Sequence, residues 1–145
     1  MKSRVDETAV VFQPFTFTVE RGKIKELAMA IGDQNRVYYH VEEAKKEGYR
    51  DIPVPPTFGT VMDFWGGLDF DTLVQTLQLN PLKVLHGEQE YQYEDIVCAG
   101  DVITAQARVV KQLEKKGMKM IKLETEYKRD GDTVMVARST IIERP

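Results

Sequence analysis

Between Phe15 and Val19 the chain alternates apolar Phe15, Phe17 and Val19 with Thr16 and Thr18, the two-residue period of a half-buried strand, read here over residues 10–19. Pro14 lacks an N–H and suits a strand's start or a sheet edge. The period then changes. From Glu20 to Ile31 the apolar positions Ile24, Leu27, Ala28 and Ile31 recur at helical spacing, with Lys23, Lys25 and Glu26 on other faces, and Gly32 supplies a stop. Val41 to Glu47 predicts a short charged helix ended by Gly48. In Asp51-Ile52-Pro53-Val54-Pro55-Pro56 each proline disfavours helix in the residue before it, so this stretch is extended and stiff. Thr57 to Trp65 follows as a mostly apolar helix, whose Phe58, Phe64 and Trp65 are expected to pack the core or a seam between two chains.

Residues 72–79 are a short apolar stretch whose type the periodicity leaves open. The second half reads as strands over 83–94, 101–113, 118–129 and 133–143. In the third of these Ile121, Leu123 and Tyr127 alternate with Lys122, Glu124 and Glu126. Arg129-Asp130-Gly131-Asp132 is a hairpin turn between the last two. A strand, then helices, then a run of antiparallel strands defines an α+β chain with helices on one face of its sheet. A hotdog fold, in which a curved antiparallel sheet wraps a central helix, fits this order, with residues 57–65 as that helix. A cystatin-like α+β barrel is the runner-up.

The 145 residues suffice for a single domain, 1–145, with a substantial core. A charged fraction of 30% and a net charge of −3 lack the basic excess of a phosphate-backbone binder, so no nucleic-acid partner is expected. No apolar run approaches the ~18 residues that cross a bilayer, and Met1 to Glu7 lacks a secretory signal's hydrophobic stretch. The expectation is a cytoplasmic protein with no membrane association. Cys98 has no intrachain partner, and with His40 and His86 as the only histidines neither a metal nor another cofactor is expected. Cys98 has no His beside it and is no nucleophile; Gly66-Gly67 is a helix stop, since no phosphate-loop pattern follows.

Four segments carry a resemblance: Val19-Glu-Arg-Gly-Lys-Ile-Lys25, Gly32-Asp33-Gln34-Asn35 with Tyr38, Val54-Pro-Pro-Thr-Phe58, and Leu85-His-Gly-Glu-Gln-Glu90 leading to Ala99-Gly-Asp101. Together they resemble the MaoC-like dehydratases and R-specific enoyl-CoA hydratases, in particular the N-terminal-type dehydratase branch. That resemblance implies a hotdog fold, an acyl-CoA or acyl-ACP substrate, and hydration of enoyl or dehydration of 3-hydroxyacyl groups. It also implies pairing of two hotdogs as a homodimer or heterodimer.

Adding water across C2=C3 requires a base for the water, an acid for C2 and donors for the thioester enolate. The family's turn reads G-D-x-N-P-x-H-x-D, its Asp and His sharing the proton work. Asp33 matches the Asp and Asn35 the orienting Asn, while Gly59 and its neighbour Thr57 match the start of the helix that polarises the carbonyl. Tyr38 stands where the family has His, and Arg36 where it has Pro. With an ordinary pKa of ~10, Tyr38 donates a proton or hydrogen bond but is no base near neutrality. His40 reads as the start of the next helix and His86 as a strand residue, each a candidate substrate contact. The lysines of 111–119 read as a solvated hairpin end within possible reach of a coenzyme A phosphate. The resemblance thus points to a subunit whose partner brings the full Asp/His pair; the alternative is a homodimeric acyl-thioester binding or regulatory protein without turnover.

Overall fold

The longest alternating stretches build the sheet. In the computed structural model, which describes residues 10–145, β3 (Val102–Lys115), β4 (Met118–Arg129) and β5 (Asp132–Glu143) are antiparallel neighbours. β1 (Phe15–Thr18) flanks β3 and β2 (Val84–Tyr93) flanks β5, giving the order β1-β3-β4-β5-β2. Pro14 therefore precedes an edge strand. Ile103, Ala105, Ala107 and Val109 of β3, with Ile121, Leu123, Thr125 and Tyr127 of β4, form one buried face. Two hairpin turns join these strands. Each places two consecutive residues at positive φ, Lys116 and Gly117 at 53° and 76°, Asp130 and Gly131 at 52° and 84°, a turn whose twist matches that of the strands. Register shifts at His86/Glu88, Val109/Lys111 and Tyr127/Lys128 add bends along the sheet.

The helices cover that face. α1 (Arg21–Ala30) turns Ile24 and Ala28 fully inward. Ile31, expected on the same stripe, is 53% exposed, because the helix ends at Ala30 and Ile31 is its non-helical cap. α2 (Val41–Lys46) buries Ala44. α3 (Gly59–Gly66) starts two residues later than its apolar run, because Pro55 to Phe58 first form a turn closed by the Phe58 N–H on the Pro55 carbonyl at 2.9 Å. Phe58 and Met62, one helical turn apart, pack with Phe17, Ala105, Tyr127, Met135 and Ala137. Of the two expectations for these aromatics, core or a seam between two chains, Phe64 and Trp65 depart from the first: they are 57% and 83% exposed, since only one face of α3 meets the sheet. α4 (Phe70–Leu77) resolves the ambiguous stretch; Asp69 caps it by accepting the Thr72 N–H at 2.7 Å. Leu73 and Leu79 join Ala107, Val109, Ile121, Leu123 and Ile141 in a second cluster.

One buried charge ties the elements together. Asp101, 6% exposed at the mouth of β3, accepts from Arg50 at 2.9 and 3.1 Å, from Arg129 at 2.8 Å and from the Cys98 N–H at 3.0 Å. Both arginines also donate to the Ile96 carbonyl. Burial alone would raise the Asp101 pKa; the hydrogen bonds from Arg50, Cys98 and Arg129 outweigh it and hold the carboxyl below the usual carboxylate range. The segment 97–101 so pinned pairs with the proline stretch: Val54 N–H bonds the Val97 carbonyl at 3.0 Å and Ala99 N–H the Ile52 carbonyl at 2.8 Å.

Replacing Asp101 with Ala is expected to cost about 3 kcal/mol by denaturant unfolding, at the low end for breaking a buried pair because Arg50 stays more than half exposed. A depressed folded pKa contributes stability in full above the unfolded value of about 3.9 and loses it as pH falls through the folded one. The gap between wild type and variant should therefore hold at neutral pH and narrow only below about pH 4.

Candidate functional site

Gly32, at φ 72°, ends α1 and starts the turn. The Asp33 N–H bonds the Ala28 carbonyl at 2.9 Å, and its carboxylate accepts the Asn35 N–H at 2.9 Å. Asn35 in turn accepts the Val37 N–H at 3.2 Å and caps a single 3₁₀ turn, Arg36–Tyr38. The Tyr39 hydroxyl donates to the Asp33 carbonyl at 2.5 Å. Both short polar side chains thus hold the local backbone, as Asx residues do in turns. Arg36, in the proline position, reaches Glu43 in the first turn of α2 at 3.7 Å.

Tyr38 is half-buried against the core, and a cavity of about 260 Å³ opens beside it between Tyr49, Pro53, Val54, Pro56 and Tyr93. Burial raises the Tyr38 pKa above its ordinary value, with the Asp33 charge and Tyr49 adding to it. The Tyr93 hydroxyl donates to the Pro56 carbonyl at 2.9 Å, bracing the entry to α3, and burial raises this phenol strongly as well. Asp33, Asn35 and Thr57 border the turn and the helix entry without lining this cavity. Thr57 is exposed, its carbonyl accepting the Thr60 N–H at 3.1 Å. Among the described residues the Gly59 N–H has no backbone acceptor. A side chain at Gly59 would meet the Tyr91 ring at 2.7 Å and Met135 at 3.0 Å, so only glycine lets β2 lie this close to the helix start.

A larger cavity, about 410 Å³, lies along α3 and is walled by Tyr91. Its walls include Phe64, Leu73, Leu123 and Ile141, with Thr60, Asp63 and His86 as polar members. Thr60 and Tyr91 hydroxyls hydrogen-bond each other. His86 bonds the Gln89 side chain at 2.9 Å on exposed β2. His86 lines this cavity and not the one beside Tyr38. His40 occupies the residue before α2 without a capping hydrogen bond, is exposed and lines neither cavity. The hairpin lysines lie at the sheet's far end: Lys119 pairs with Glu143 of β5 whereas Tyr93 pairs with Met135, and those eight residues of β5 span about 26 Å. This removes them from the Tyr38 cavity. Cys98 is fully buried, and burial raises its thiol. Among the described residues no group of three or more His, Cys, Asp or Glu is arranged for a metal ion, and no helix is long and apolar enough to cross a membrane.

Solved structures define the fold class. The truncated HadBC (3R)-hydroxyacyl-ACP dehydratase complex of Mycobacterium tuberculosis aligns at TM-score 0.79 with 21% identity, over 97% of this chain and 99% of that one. The ChsH1–ChsH2 complex of the same organism aligns at 0.75 with 19% identity, over 94% and 90%. The Aeromonas caviae (R)-hydratase involved in PHA biosynthesis aligns at 0.68 with 14% identity, over 97% and 100%. The architecture is thus the hotdog of MaoC-like dehydratases, and the cystatin-like alternative falls. The family model described as FAS1-like, dehydratase domain region matches residues 7–137, and the chain belongs to that family. Its relatives include a UPF0336 protein of Thermobifida fusca, 32% identical over 89% of this chain and 84% of the relative, and one of Tropheryma whipplei, 30% identical over 93% and 95%.

The turn's geometry separates chemistry from folding at Asp33. Asp33→Asn keeps an oxygen for the Asn35 N–H and should change stability by less than about 0.5 kcal/mol, whereas Asp33→Ala removes it and should cost about 1 kcal/mol. Thermal unfolding of the two variants checks this.

Proposed function

We propose that this chain is one subunit of a hydratase/dehydratase acting on enoyl or 3-hydroxyacyl thioesters of coenzyme A or acyl carrier protein, and that a second hotdog subunit brings the complete Asp/His pair. The observation that carries this reading is the tyrosine at position 38. It lines a cavity beside the entry to the central helix, and neither histidine of the chain lines that cavity. Its raised pKa keeps the phenol protonated near neutrality, able to donate but not to deprotonate water. Asp33 remains the candidate catalytic carboxylate, and Asn35 its orienting neighbour. Thr57 and Gly59 are candidate substrate contacts at the helix start, where the unpaired Gly59 N–H and the helix dipole favour a developing enolate oxygen. His40 and His86, which line no shared space with Tyr38, are weaker candidates.

Partnering is supported by β2. This ten-residue strand is hydrogen-bonded to β5 on one side only and largely exposed, and such an edge is commonly covered by another chain. The mixed hotdog complexes among the structural neighbours support a partner that is itself a hotdog.

Co-expression with a companion hotdog carrying an intact G-D-x-N-P-x-H turn, followed by hydration of crotonyl thioesters, tests the proposal. Turnover is expected only with the companion. Within the complex Tyr38→Phe should lower the rate less than the ~10²–10⁴-fold typical of a general acid–base group. Robust turnover by this chain alone, abolished by Tyr38→Phe, would overturn the proposal and make the tyrosine the catalytic acid. Thioester binding without turnover in any pairing would favour the homodimeric binding protein.

A further inference from the structure

The central helix carries one acid on an otherwise apolar run, and it faces a cavity. Asp63 lies four residues after Gly59, about 6 Å further along the helix axis, and lines the 410 Å³ cavity whose other walls include Phe64, Leu73, Leu123 and Ile141. The groups beside it are already engaged. Thr60 and Tyr91 hydroxyls bond each other, and His86 bonds Gln89. Glu88, on the same wall, accepts the Thr140 hydroxyl at 3.2 Å. Among the described residues no hydrogen bond or cation offsets the partial burial of Asp63, which pushes its pKa up to about 7. The fold gains nothing from this: an apolar residue there would be better accommodated. A carboxyl kept in an apolar cavity without a protein partner is suited to a ligand that brings one.

Resting on the acyl-thioester reading above, we propose that the Asp63 cavity selects acyl chains bearing a hydroxyl group several carbons beyond the thioester, the Asp63 carboxyl hydrogen-bonding that hydroxyl. Tyr91, whose ring lies against Gly59 at the start of α3, also walls the Asp63 cavity, so a chain whose thioester lies at that helix start runs along the helix toward Asp63. A hydroxyl both donates and accepts, and so pairs with either protonation state of the carboxyl. An ammonium would need the ionised form, which the apolar wall disfavours.

Calorimetric titration of the full chain tests this with decanoyl chains with and without a mid-chain hydroxyl, each as the coenzyme A thioester and as the free acid. The hydroxylated chain is expected to bind at least ten-fold tighter to wild type. Asp63→Leu should abolish or reverse that preference while raising the melting temperature at neutral pH; Asp63→Asn should retain part of it. A preference for hydroxylated free acids that Asp63→Leu abolishes, with no thioester binding, would uphold this cavity and overturn the acyl-thioester function. Thioester binding with no hydroxyl preference, or with one that survives Asp63→Leu, would overturn the Asp63 assignment and leave that function standing. Binding of neither series, or tighter binding of an amine-bearing chain, would also overturn it.

Discussion

The placement of the candidate site on this fold depends on one buried carboxylate. Asp101 gathers two guanidinium groups and a backbone N–H, and those guanidiniums reach on to the Ile96 carbonyl. The loop so fixed is the surface on which the proline stretch lies through its Val54 and Ala99 backbone bonds. That stretch sets where α3 begins. A charge network at one corner of the sheet therefore determines the position of a helix start two connections away. Hydrophobic burial supplies the bulk of the driving force but has no such directionality. The asymmetry between arginines also has meaning: Arg129 is well shielded and orders the β4 end, while Arg50 remains mostly in water.

The strands were legible in the sequence because β3, β4 and β5 alternate over ten or more residues, long enough for the two-residue period to dominate local noise. The helix ends were not. Thr57 and Phe58 have the apolarity of a helix but are absorbed by a turn that the preceding prolines impose. Ile31 satisfies the spacing rule yet lies past the point where Gly32 unwinds the chain. Trp65 and Phe64 show why composition alone misjudges burial: a mostly apolar helix still meets a single sheet with only one face. For those two aromatics the missing information concerned what lies opposite the residue, which no periodicity contains.

The site was legible only in part. The turn from Gly32 to Tyr38 is local, and its motif identified the residues whose backbone bonds shape it. Tyr91 and Tyr93, which wall two cavities, and Asp63, which faces one, come from segments remote in sequence. Their alternation on β2 was visible, but not what they would meet. The one available signal for Asp63 was its singularity, an acid between Met62 and Phe64 in a run with no other charge. His86 bears out its reading as a strand residue. A histidine attracts chemical assignments, yet here it engages a glutamine side chain on an exposed strand.

β2 has two sides with different obligations. His86 to Gln89 and Tyr91 wall the larger cavity, while the strand's outer edge has no partner strand among the described residues. Filling the cavity and pairing the edge act on the same ten residues, so each changes the free energy of the other by the same amount. Under the function proposed above, affinity for a ligand in that cavity depends on whatever lies along β2.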